Sequence, residues 1–489
     1  MKTGSYIDGE WYHPQSGRII RNLNPADTSD VIAEFPAATA ADVQRAVDAA
    51  RRAWRDWKNT PAPERGRVLS RAAEIARRRS DEIARAMTRE EGKILREARG
   101  EVVKGINVLE YYAGEGFRIG GKTLPSESRD TFTYTVRRPL GVVGLISPWN
   151  FPWAIPVWKS APALVAGNTV VFKPAELTPA TASLLVEIYE EAGLPPGVFN
   201  MVVGPGSIVG NAIVDHPDIR AVSFTGSNEV GSALYVQAAR RGIRVTCEMG
   251  GKNAVVVLPD ADLEKAVTAI HGGAFGSTGQ RCTATSRVIA FPEVKDELVE
   301  RLTTTAEAMK IGPGLDESVD MGPAVDEKQF TTDLTYIQVA QQEGARLVTG
   351  GRRPAGLERG YFVAPTIFDN VEPGMRIFKE EVFGPVLAVA NATSVEDAIA
   401  FANGVEYGLT ASVFSQDIDT VMRFVEEVET GMIHVNEPTI GGEAQLPFGG
   451  TKVTGVGERE MSEEGLKFFT EIKTVFINYG RSGERSLIR

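Results

Sequence analysis

The sequence predicts an α/β protein with two open sheets of mainly parallel strands, each flanked by helices. The chain has 489 residues, which is too long for one compact core and favours two or three domains. Short β-branched runs alternate with helical stretches between residues 139 and 258, and a second alternation continues to about residue 435. Ligands of open α/β sheets bind at the strand ends, so we expect a cleft between the two domains.

The individual elements follow from the spacing of apolar residues. Residues 40–117 are predicted to be helical, because apolar side chains recur there on one face: Val68, Leu69, Ala72, Ile75, Ala76 and Ile83. The first alternation predicts strands at Gly141–Ser147, Thr169–Lys173, Phe199–Val203, Ala221–Phe224, Val245–Glu248 and Ala254–Leu258. Helices are predicted at Thr178–Ala192 and Asn228–Arg241. The second alternation predicts a helix near 262–277, a strand at Arg287–Phe291 and a helix from Val294 to about Met309.

Two further segments alternate like half-exposed strands and fit neither domain. They are Thr131–Val136 and Phe468–Ile477. Exposed strand edges usually find a partner, so these segments predict contacts between copies of the chain. We expect a homodimer or a homotetramer.

Composition and charge exclude several classes of protein. The formal net charge of -11 argues against a nucleic-acid or anionic-membrane partner. The N-terminus has no apolar core of a secretory signal, and no apolar run approaches the roughly 18 residues of a membrane span. Two cysteines cannot form a disulfide framework, so we expect a reducing cytoplasm. The four histidines are scattered and no zinc-type spacing occurs, so we expect no metal site.

One of the two cysteines stands in a setting that suits a nucleophile. Cys282 follows the glycine-containing turn Gly279-Gln280-Arg281 and precedes a predicted strand. A thiol becomes a good nucleophile where it is partly exposed and where backbone N–H groups favour the thiolate. The alternative is a small buried apolar residue, which is what most free cysteines are. Cys247 lies inside a predicted strand, and we interpret it as a core residue.

Seven motifs, in the same order as in a known family, favour the interpretation of Cys282 as a catalytic nucleophile. Over residues 6–479 the chain resembles the aldehyde dehydrogenase superfamily. The matching stretches are Ser147-Pro148-Trp149-Asn150-Phe151-Pro152, Phe172-Lys173-Pro174-Ala175-Glu176, Phe224-Thr225-Gly226-Ser227, Glu248-Met249-Gly250-Gly251-Lys252, Gly279-Gln280-Arg281-Cys282, Glu380-Glu381-Val382-Phe383-Gly384-Pro385 and Pro447-Phe448-Gly449-Gly450.

The resemblance implies a division of the chain into three parts. A Rossmann-type NAD(P)-binding domain would comprise residues 1–125 and 140–248, and an α/β catalytic domain would comprise 249–449. Residues 126–139 and 466–489 would form a small β flap for oligomerisation.

The resemblance also implies a catalytic set that the chemistry of aldehyde oxidation requires. Cys282 would attack the aldehyde carbon, and the Asn150 amide with the Cys282 backbone N–H would stabilise the resulting oxyanion. Loss of hydride to the nicotinamide then leaves an acyl thioester on the sulfur. Glu248 would act as the general base for the water that hydrolyses this thioester. Without the resemblance, Asn150 could equally be a turn residue and Glu248 a solvent-facing strand end.

The cofactor implied by the resemblance is NAD or NADP. Gly226 and Ser227 join a predicted strand to a helix, where backbone N–H groups and the helix dipole favour a pyrophosphate. Glu176 matches an adenosine-ribose position, and a carboxylate there repels a 2′-phosphate, so we expect a preference for NAD. Glu381 and Phe383 match the nicotinamide ribose and ring positions, although they could be a surface acid and a core aromatic. The predicted cofactor-binding residues are Ser147, Pro148, Trp149, Lys173, Glu176, Gly206, Phe224, Gly226, Ser227, Gly250, Glu381 and Phe383.

The substrate pocket is predicted to hold an acidic aldehyde. The residue before the nucleophile lines this pocket in the superfamily, and here it is Arg281, whose guanidinium suits a carboxylate. Arg281 could instead turn away and pair with an acid of the chain. Succinate-semialdehyde dehydrogenases often carry an arginine where this chain has Trp158. Trp153, Phe151, Trp158 and Phe448 would then supply apolar walls, although aromatics so spaced could be core residues.

The closer likeness is to 2-oxoglutarate-semialdehyde (2,5-dioxopentanoate) dehydrogenases. It depends on the stretches at 109–116 and 279–287 and on the region after Gly450. Succinate-semialdehyde and non-phosphorylating glyceraldehyde-3-phosphate dehydrogenases remain alternatives, as does a silent binding protein of the same fold. A coenzyme-A-acylating relative is disfavoured, because it would need no base at Glu248.

Overall fold

The computed structural model describes residues 2–480 of the chain. Its helices are α1 Ala40–Trp57, α2 Ala62–Arg78, α3 Ser80–Glu91, α4 Leu95–Glu115, α5 Ala154–Ala166, α6 Pro179–Glu191, α7 Asn211–Asp215, α8 Asn228–Arg241, α9 Leu263–Phe275, α10 Pro292–Glu307, α11 Glu327–Gln342, α12 Arg376–Lys379, α13 Val395–Asn403, α14 Ile418–Glu427 and α15 Ser462–Phe468. A short π-helical segment spans Gly206–Gly210, and a 3₁₀ turn spans Gly276–Gly279.

The strands alternate with these helices. They are β1 Ser5–Ile7, β2 Glu10–Tyr12, β3 Ile19–Asn24, β4 Asp27–Pro36, β5 Thr123–Leu124, β6 Thr131–Pro139, β7 Val142–Ile146, β8 Thr169–Lys173, β9 Phe199–Met201, β10 Ile219–Thr225, β11 Arg244–Glu248, β12 Asn253–Val257, β13 Thr285–Ala290, β14 Arg346–Thr349, β15 Thr366–Asp369, β16 Val386–Asn391, β17 Tyr407–Gly408, β18 Thr410–Phe414, β19 Met432–Val435, β20 Thr451–Lys452, β21 Gly455–Val456 and β22 Thr470–Asn478.

Two large sheets organise the molecule. The first has the order β2-β1-β9-β8-β7-β10-β11-β21, and its five strands from β9 to β11 are parallel. The second has the order β14-β15-β16-β13-β12-β18-β19 and is parallel except for β14. Every residue of β7, β8 and β12 is buried, as expected for strands covered by helices on both faces. The predicted α/β architecture with two open sheets is confirmed.

The predicted elements match the observed ones closely, with one change of sheet. The predicted helix Asn228–Arg241 coincides with α8, and the other strand and helix predictions overlap the observed elements. The first alternation predicts that Ala254–Leu258 joins the first sheet, but β12 pairs with β13 and β18 in the second sheet. That prediction is wrong, because the sequence pattern gives a strand without its partners.

The two half-exposed segments pair with each other. β6 and β22 run antiparallel along their whole length, and β5 adds to the far edge of β6. Side chains on this small sheet remain exposed, including Phe476 at 67% and Ile472 at 58%. The predicted flap at residues 466–489 extends past the described part of the chain, since residues 481–489 lie outside it. The domain boundaries stay a prediction.

Among residues 2–480, no helix is long and apolar enough to cross a bilayer. Over the same range, no group of three or more His, Cys, Asp or Glu side chains could hold a metal ion.

Candidate active site

A cleft of about 270 Å³ is lined by loops from both large sheets. The first sheet contributes the loops that follow the carboxyl ends of β7, β10 and β11, and the second contributes the loops before β13 and β16. Carboxyl ends of parallel strands are the usual ligand-binding edge of an open sheet. The site therefore combines a ligand edge of one sheet with side chains held by the other.

Cys282 lies in the loop that joins the 3₁₀ turn to β13, and it lines the cleft. The 3₁₀ turn before this loop contains three consecutive residues with positive φ angles: Ser277 at 49°, Thr278 at 59° and Gly279 at 69°. Such angles are costly for residues other than glycine and persist only where the surroundings fix them. The Asn253 side chain fixes the loop by donating to the Cys282 carbonyl at 2.7 Å.

The charge environment of Cys282 opposes ionisation in the free site. Burial, together with the nearby carboxyls of Glu381 and Glu248, raises the pKa of the thiol to about 12. The Lys104 ammonium and a hydrogen bond from the Thr283 backbone lower it. The resting thiol is therefore protonated near neutral pH, and its activation requires that a bound ligand change the charge balance around it.

Asn150 is placed to serve as an oxyanion donor. It follows β7, is only 3% exposed and lines the same cleft as Cys282. Its Nδ2 donates to the Gln280 carbonyl at 3.0 Å, which holds the amide beside the nucleophile loop. An amide nitrogen has two N–H groups, so one remains for a ligand. Its backbone carbonyl accepts from Lys93 Nζ at 2.6 Å, which fixes the start of this turn.

Glu248 ends β11 and is buried, with 3% exposure, so it is not a solvent-facing strand end. The Gly450 backbone N–H donates to its carboxyl at 3.3 Å, and the cleft wall itself does not include Glu248. Burial and the neighbouring Glu460 carboxyl raise its pKa well above the ordinary value, while Arg459 and Lys159 lower it. A carboxyl with a raised pKa is suited to exchange protons near neutral pH.

The loop after β10 forms the phosphate-type end of the cleft. Gly226 and Ser227 precede α8, and the Ser227 side chain caps that helix by accepting from the Val230 N–H at 3.5 Å. Phe224 is buried beneath this turn, where a Cβ on Gly226 would lie 2.5 Å from its ring. Thr225 also lines the cleft, and its buried hydroxyl has no partner among residues 2–480. An unpartnered donor beside a helix N-terminus indicates a site for a polar ligand.

The far side of the cleft is closed by the loop before β16. Glu381 accepts from the Gly251 N–H at 2.8 Å, and burial raises its pKa to about 7. A Cβ on Gly250 would lie 2.1 Å from this carboxylate, so a larger residue there would displace the carboxylate. The Phe383 ring packs edge-to-face on Trp149 at 5.5 Å between centroids. Pro148 completes this wall of the cleft.

Three predicted residues form a separate group near the carboxyl ends of β8 and β9. The Gly206 N–H donates to Glu176 Oε1 at 3.2 Å, and burial lowers the pKa of Lys173 to about 8. Arg18 approaches the Glu176 carboxylate at 3.9 Å. The Ser147 N–H donates to the Lys173 carbonyl at 3.2 Å and so connects this group to the strand that leads to Asn150.

The predicted apolar walls belong to one apolar cluster, against which Cys282 also packs. Trp158 and Phe448 are buried and pack on each other with ring centroids 5.4 Å apart. The indole N–H of Trp158 donates to Glu460 at 2.8 Å. Phe151 is partly buried and contacts the Lys93 ammonium, which lies 4.2 Å from its ring centroid.

Arg281 already has partners within the protein. Its Nη2 donates to Ser277 Oγ at 2.9 Å and approaches Glu97 Oε1 at 3.4 Å, and its side chain is 15% exposed. Glu97 in turn accepts from the Ser277 N–H at 2.7 Å. The arrangement matches the alternative in which Arg281 pairs with an acid. Its role as the carboxylate-binding residue stays a prediction.

Residues that the sequence interpretation missed complete the site. Asp326, Lys328, Gln329 and Thr332, from the start of α11, line the cleft, and Lys104 of α4 lies against Trp158 and Phe448. None of them belongs to a motif. The available signal was spacing: Glu97, Glu101, Lys104 and Val108 share one face of α4, and Val108 is fully buried.

Comparison with known proteins shows which sequences and structures this chain resembles. The sequence profile described as "Aldehyde dehydrogenase family" matches residues 11–475. The chain is 47% identical to the alpha-ketoglutaric semialdehyde dehydrogenase of Bacillus subtilis, with 97% of each chain covered. It is 48% identical to the 2,5-dioxopentanoate dehydrogenase of Saccharolobus solfataricus, covering 97% of this chain and 99% of the relative. The solved betaine aldehyde dehydrogenase of Staphylococcus aureus, in complex with NAD+, superimposes with a TM-score of 0.96 at 35% identity, covering 99% of this chain and 96% of that one.

Proposed function

The chain belongs to the aldehyde dehydrogenase family, and we propose that it oxidises 2-oxoglutarate semialdehyde, a carboxylated aldehyde, to the dicarboxylic acid with NAD. The observation that carries the proposal is the shared cleft of Cys282 and Asn150, with the Glu248 carboxyl buried beside it. The two relatives named for this substrate support the choice of aldehyde.

The chemistry assigns one role to each of these three residues. The Cys282 sulfur gives its proton to water and forms a bond to the aldehyde carbon, while the carbonyl electrons move onto oxygen. The free N–H of the Asn150 amide and the Cys282 backbone N–H donate to that oxyanion. When bound, the oxidised nicotinamide accepts the hydride that leaves this carbon, and an acyl thioester remains on the sulfur. Glu248 takes a proton from water, the resulting hydroxide adds to the thioester carbon, and the thiolate leaves.

The residues of the cleft suit a dinucleotide. The helix N-terminus behind Gly226 and Ser227, with the unpartnered Thr225 hydroxyl, would hold the pyrophosphate. Glu176 and Lys173 would hold the adenosine ribose, and Glu381 would hold the nicotinamide ribose. The Glu176 carboxylate favours NAD over NADP by repelling a 2′-phosphate, although Arg18 at 3.9 Å weakens that repulsion.

The small sheet supports self-association of the chain as a homodimer or homotetramer. The exposed apolar side chains Leu124, Phe132, Ile472 and Phe476 all lie on β5, β6 and β22. Unpaired edges with apolar side chains favour pairing with another copy. Both cysteines are free, which supports our expectation of a reducing, cytoplasmic setting.

A substrate screen tests the proposed function. NADH formation would be compared for 2-oxoglutarate semialdehyde, succinate semialdehyde, glyceraldehyde 3-phosphate and pentanal, each with NAD and with NADP, and the product would be identified with and without coenzyme A. We expect the highest kcat/KM with 2-oxoglutarate semialdehyde and NAD, and free dicarboxylic acid as the product in both cases. A higher kcat/KM for pentanal, or an acyl-coenzyme A product, would contradict the proposal.

A further inference from the structure

One face of α4 points charged side chains toward the nucleophile loop. Glu97 accepts from the Ser277 N–H and approaches Arg281. Glu101, one turn further on, accepts from Lys93 Nζ at 2.7 Å and from the backbone N–H groups of Trp153 and Ala154 at 2.9 and 3.0 Å. Both carboxylates are therefore committed to holding the protein around the site.

Lys104 lies on the same face but has no such partner. Among residues 2–480, its ammonium makes no hydrogen bond within 3.5 Å and no ion pair within 4.0 Å. Its Nζ lies 5.0 Å from the Trp158 ring centroid and 5.9 Å from that of Phe448. A Cβ on Gly442 would lie 3.4 Å from the same nitrogen, so the ammonium lies beside two aromatic rings and the loop before Phe448.

An ammonium in this setting lacks an anion. Burial lowers the pKa of Lys104, and the nearest opposing influences are Cys282 and Glu101. Ring faces attract a cation but replace only part of its lost hydration. The structure therefore holds a half-buried cation close enough to the nucleophile to lower the pKa of its thiol, with its donors free.

We propose that Lys104 binds the carboxylate of the aldehyde substrate and thereby sets the preference for acidic aldehydes. The inference rests on the proposed function, because it assumes a carboxylated substrate attached at Cys282. Arg281 fits this role less well, since Glu97 and Ser277 already occupy its guanidinium. The Trp158 and Phe448 rings, which lie beside the ammonium, would contact the methylene chain between the aldehyde and the carboxylate.

Three variants separate Lys104 from Arg281 and from a general effect on the thiol. Lys104→Met keeps an unbranched side chain of similar length and removes the charge, Lys104→Arg keeps the charge, and Arg281→Met removes the competing cation. Each would be assayed with 2-oxoglutarate semialdehyde, succinate semialdehyde and the neutral pentanal over a range of pH. Thermal unfolding would check that each variant is folded.

We expect Lys104→Met to raise KM for both acidic aldehydes by about tenfold or more, the size of effect that loss of a charged hydrogen bond produces. The kcat/KM for pentanal should fall by a smaller factor, because loss of the cation also raises the pKa of the Cys282 thiol, so the ratio of acidic to neutral kcat/KM should fall by about tenfold. Lys104→Arg should restore much of the acidic preference, and Arg281→Met should alter it less than Lys104→Met does. An equal loss for acidic and neutral aldehydes, with a displaced pH profile, would assign Lys104 to the thiol alone and overturn the inference. A loss of acidic preference in Arg281→Met but not in Lys104→Met would also overturn it.

The wild-type enzyme distinguishes failure of this inference from failure of the proposed function. If the wild type shows no preference for acidic aldehydes over pentanal, the proposed substrate class is wrong and Lys104 has no carboxylate to bind. If the wild type prefers acidic aldehydes and Lys104→Met keeps that preference, only the assignment of Lys104 fails.

Discussion

Replacing Glu248 with glutamine should separate the two halves of the reaction. Glutamine has the same shape and keeps an oxygen that can accept from the Gly450 N–H, now at 3.3 Å from the carboxyl. It cannot take a proton from water. Acyl transfer to Cys282 should therefore proceed in Glu248→Gln, while hydrolysis of the thioester should slow.

The expected loss of hydrolysis rate is that of a missing general base. A positioned general base contributes about 10²- to 10⁴-fold, or about 3 to 5 kcal/mol of barrier. Because burial raises the pKa of Glu248, the fraction of ionised base grows as pH rises, and the hydrolysis rate of the wild type should grow with it. The variant should lose that dependence on pH.

A carboxyl whose pKa is raised by folding destabilises the fold above its unfolded pKa, so Glu248→Gln should unfold at the same or a higher temperature than the wild type near pH 8.

Stopped-flow measurement of NADH absorbance tests this reasoning directly. We expect a rapid burst of about one NADH per active site in Glu248→Gln, followed by a steady-state rate that is about 10²- to 10⁴-fold lower than that of the wild type. Mass spectrometry of the quenched protein should find the acyl group on Cys282. Glu90→Gln is the matched control: Glu90 is also buried, burial raises its pKa to about 7, and it accepts from Ala180 and Thr181 away from the cleft. Its kinetics should be those of the wild type, and a slow Glu248→Gln variant without burst or adduct would refute the assignment.

Four further outcomes follow from the same geometry. Cys282→Ser should form neither NADH nor a trapped adduct with labelled substrate, whereas Cys247→Ser should form both; normal turnover of the first variant would exclude the thioester route. Asn150→Ala should lower kcat by about 10²- to 10³-fold with little change in KM, as steady-state assays would reveal. Glu176→Ala should lower the NAD-to-NADP ratio of kcat/KM by about tenfold, and an unchanged ratio would remove Glu176 from cofactor choice. Because burial raises the pKa of Cys282 to about 12, inactivation of the free enzyme by iodoacetamide should accelerate up to at least pH 9, and a plateau below pH 8 would contradict that charge environment.

The fold was largely predictable because its elements are encoded locally. β7, β8 and α8 begin and end within a residue or two of the predicted bounds. The sequence pattern could not predict which distant strands pair with each other. β12 looks like a continuation of the first alternation, yet its register joins Val255 to Val288 and Ser412, far along the chain. Sheet membership depends on those contacts and not on the segment itself.

The site divides in the same way. Asn150, Cys282 and Glu381 stand in recognisable motifs, and the structure brings all three to one cleft. Glu97 and Lys104 stand in a long helix whose charges, read alone, are typical of a solvated face. Their importance comes from the loop beside them and from Arg281, which lies 184 positions after Glu97 and pairs with it. The sequence left open whether this guanidinium faces the substrate or pairs with an acid, because it could not reveal the carboxylate opposite.

The two cysteines explain why geometry, and not acidity, identifies the nucleophile. Burial raises the pKa of both thiols to about 12, so the resting charge state does not distinguish them. Cys247 faces the Gly231 carbonyl at 3.7 Å inside the first sheet, where no substrate could reach it. Cys282 faces a cleft with an amide donor beside it and the Lys104 cation close enough to lower its pKa. Only at Cys282 can a bound ligand change the charge around the thiol and place an aldehyde carbon next to the sulfur. Only that thiol can therefore become a nucleophile when substrate and cofactor bind.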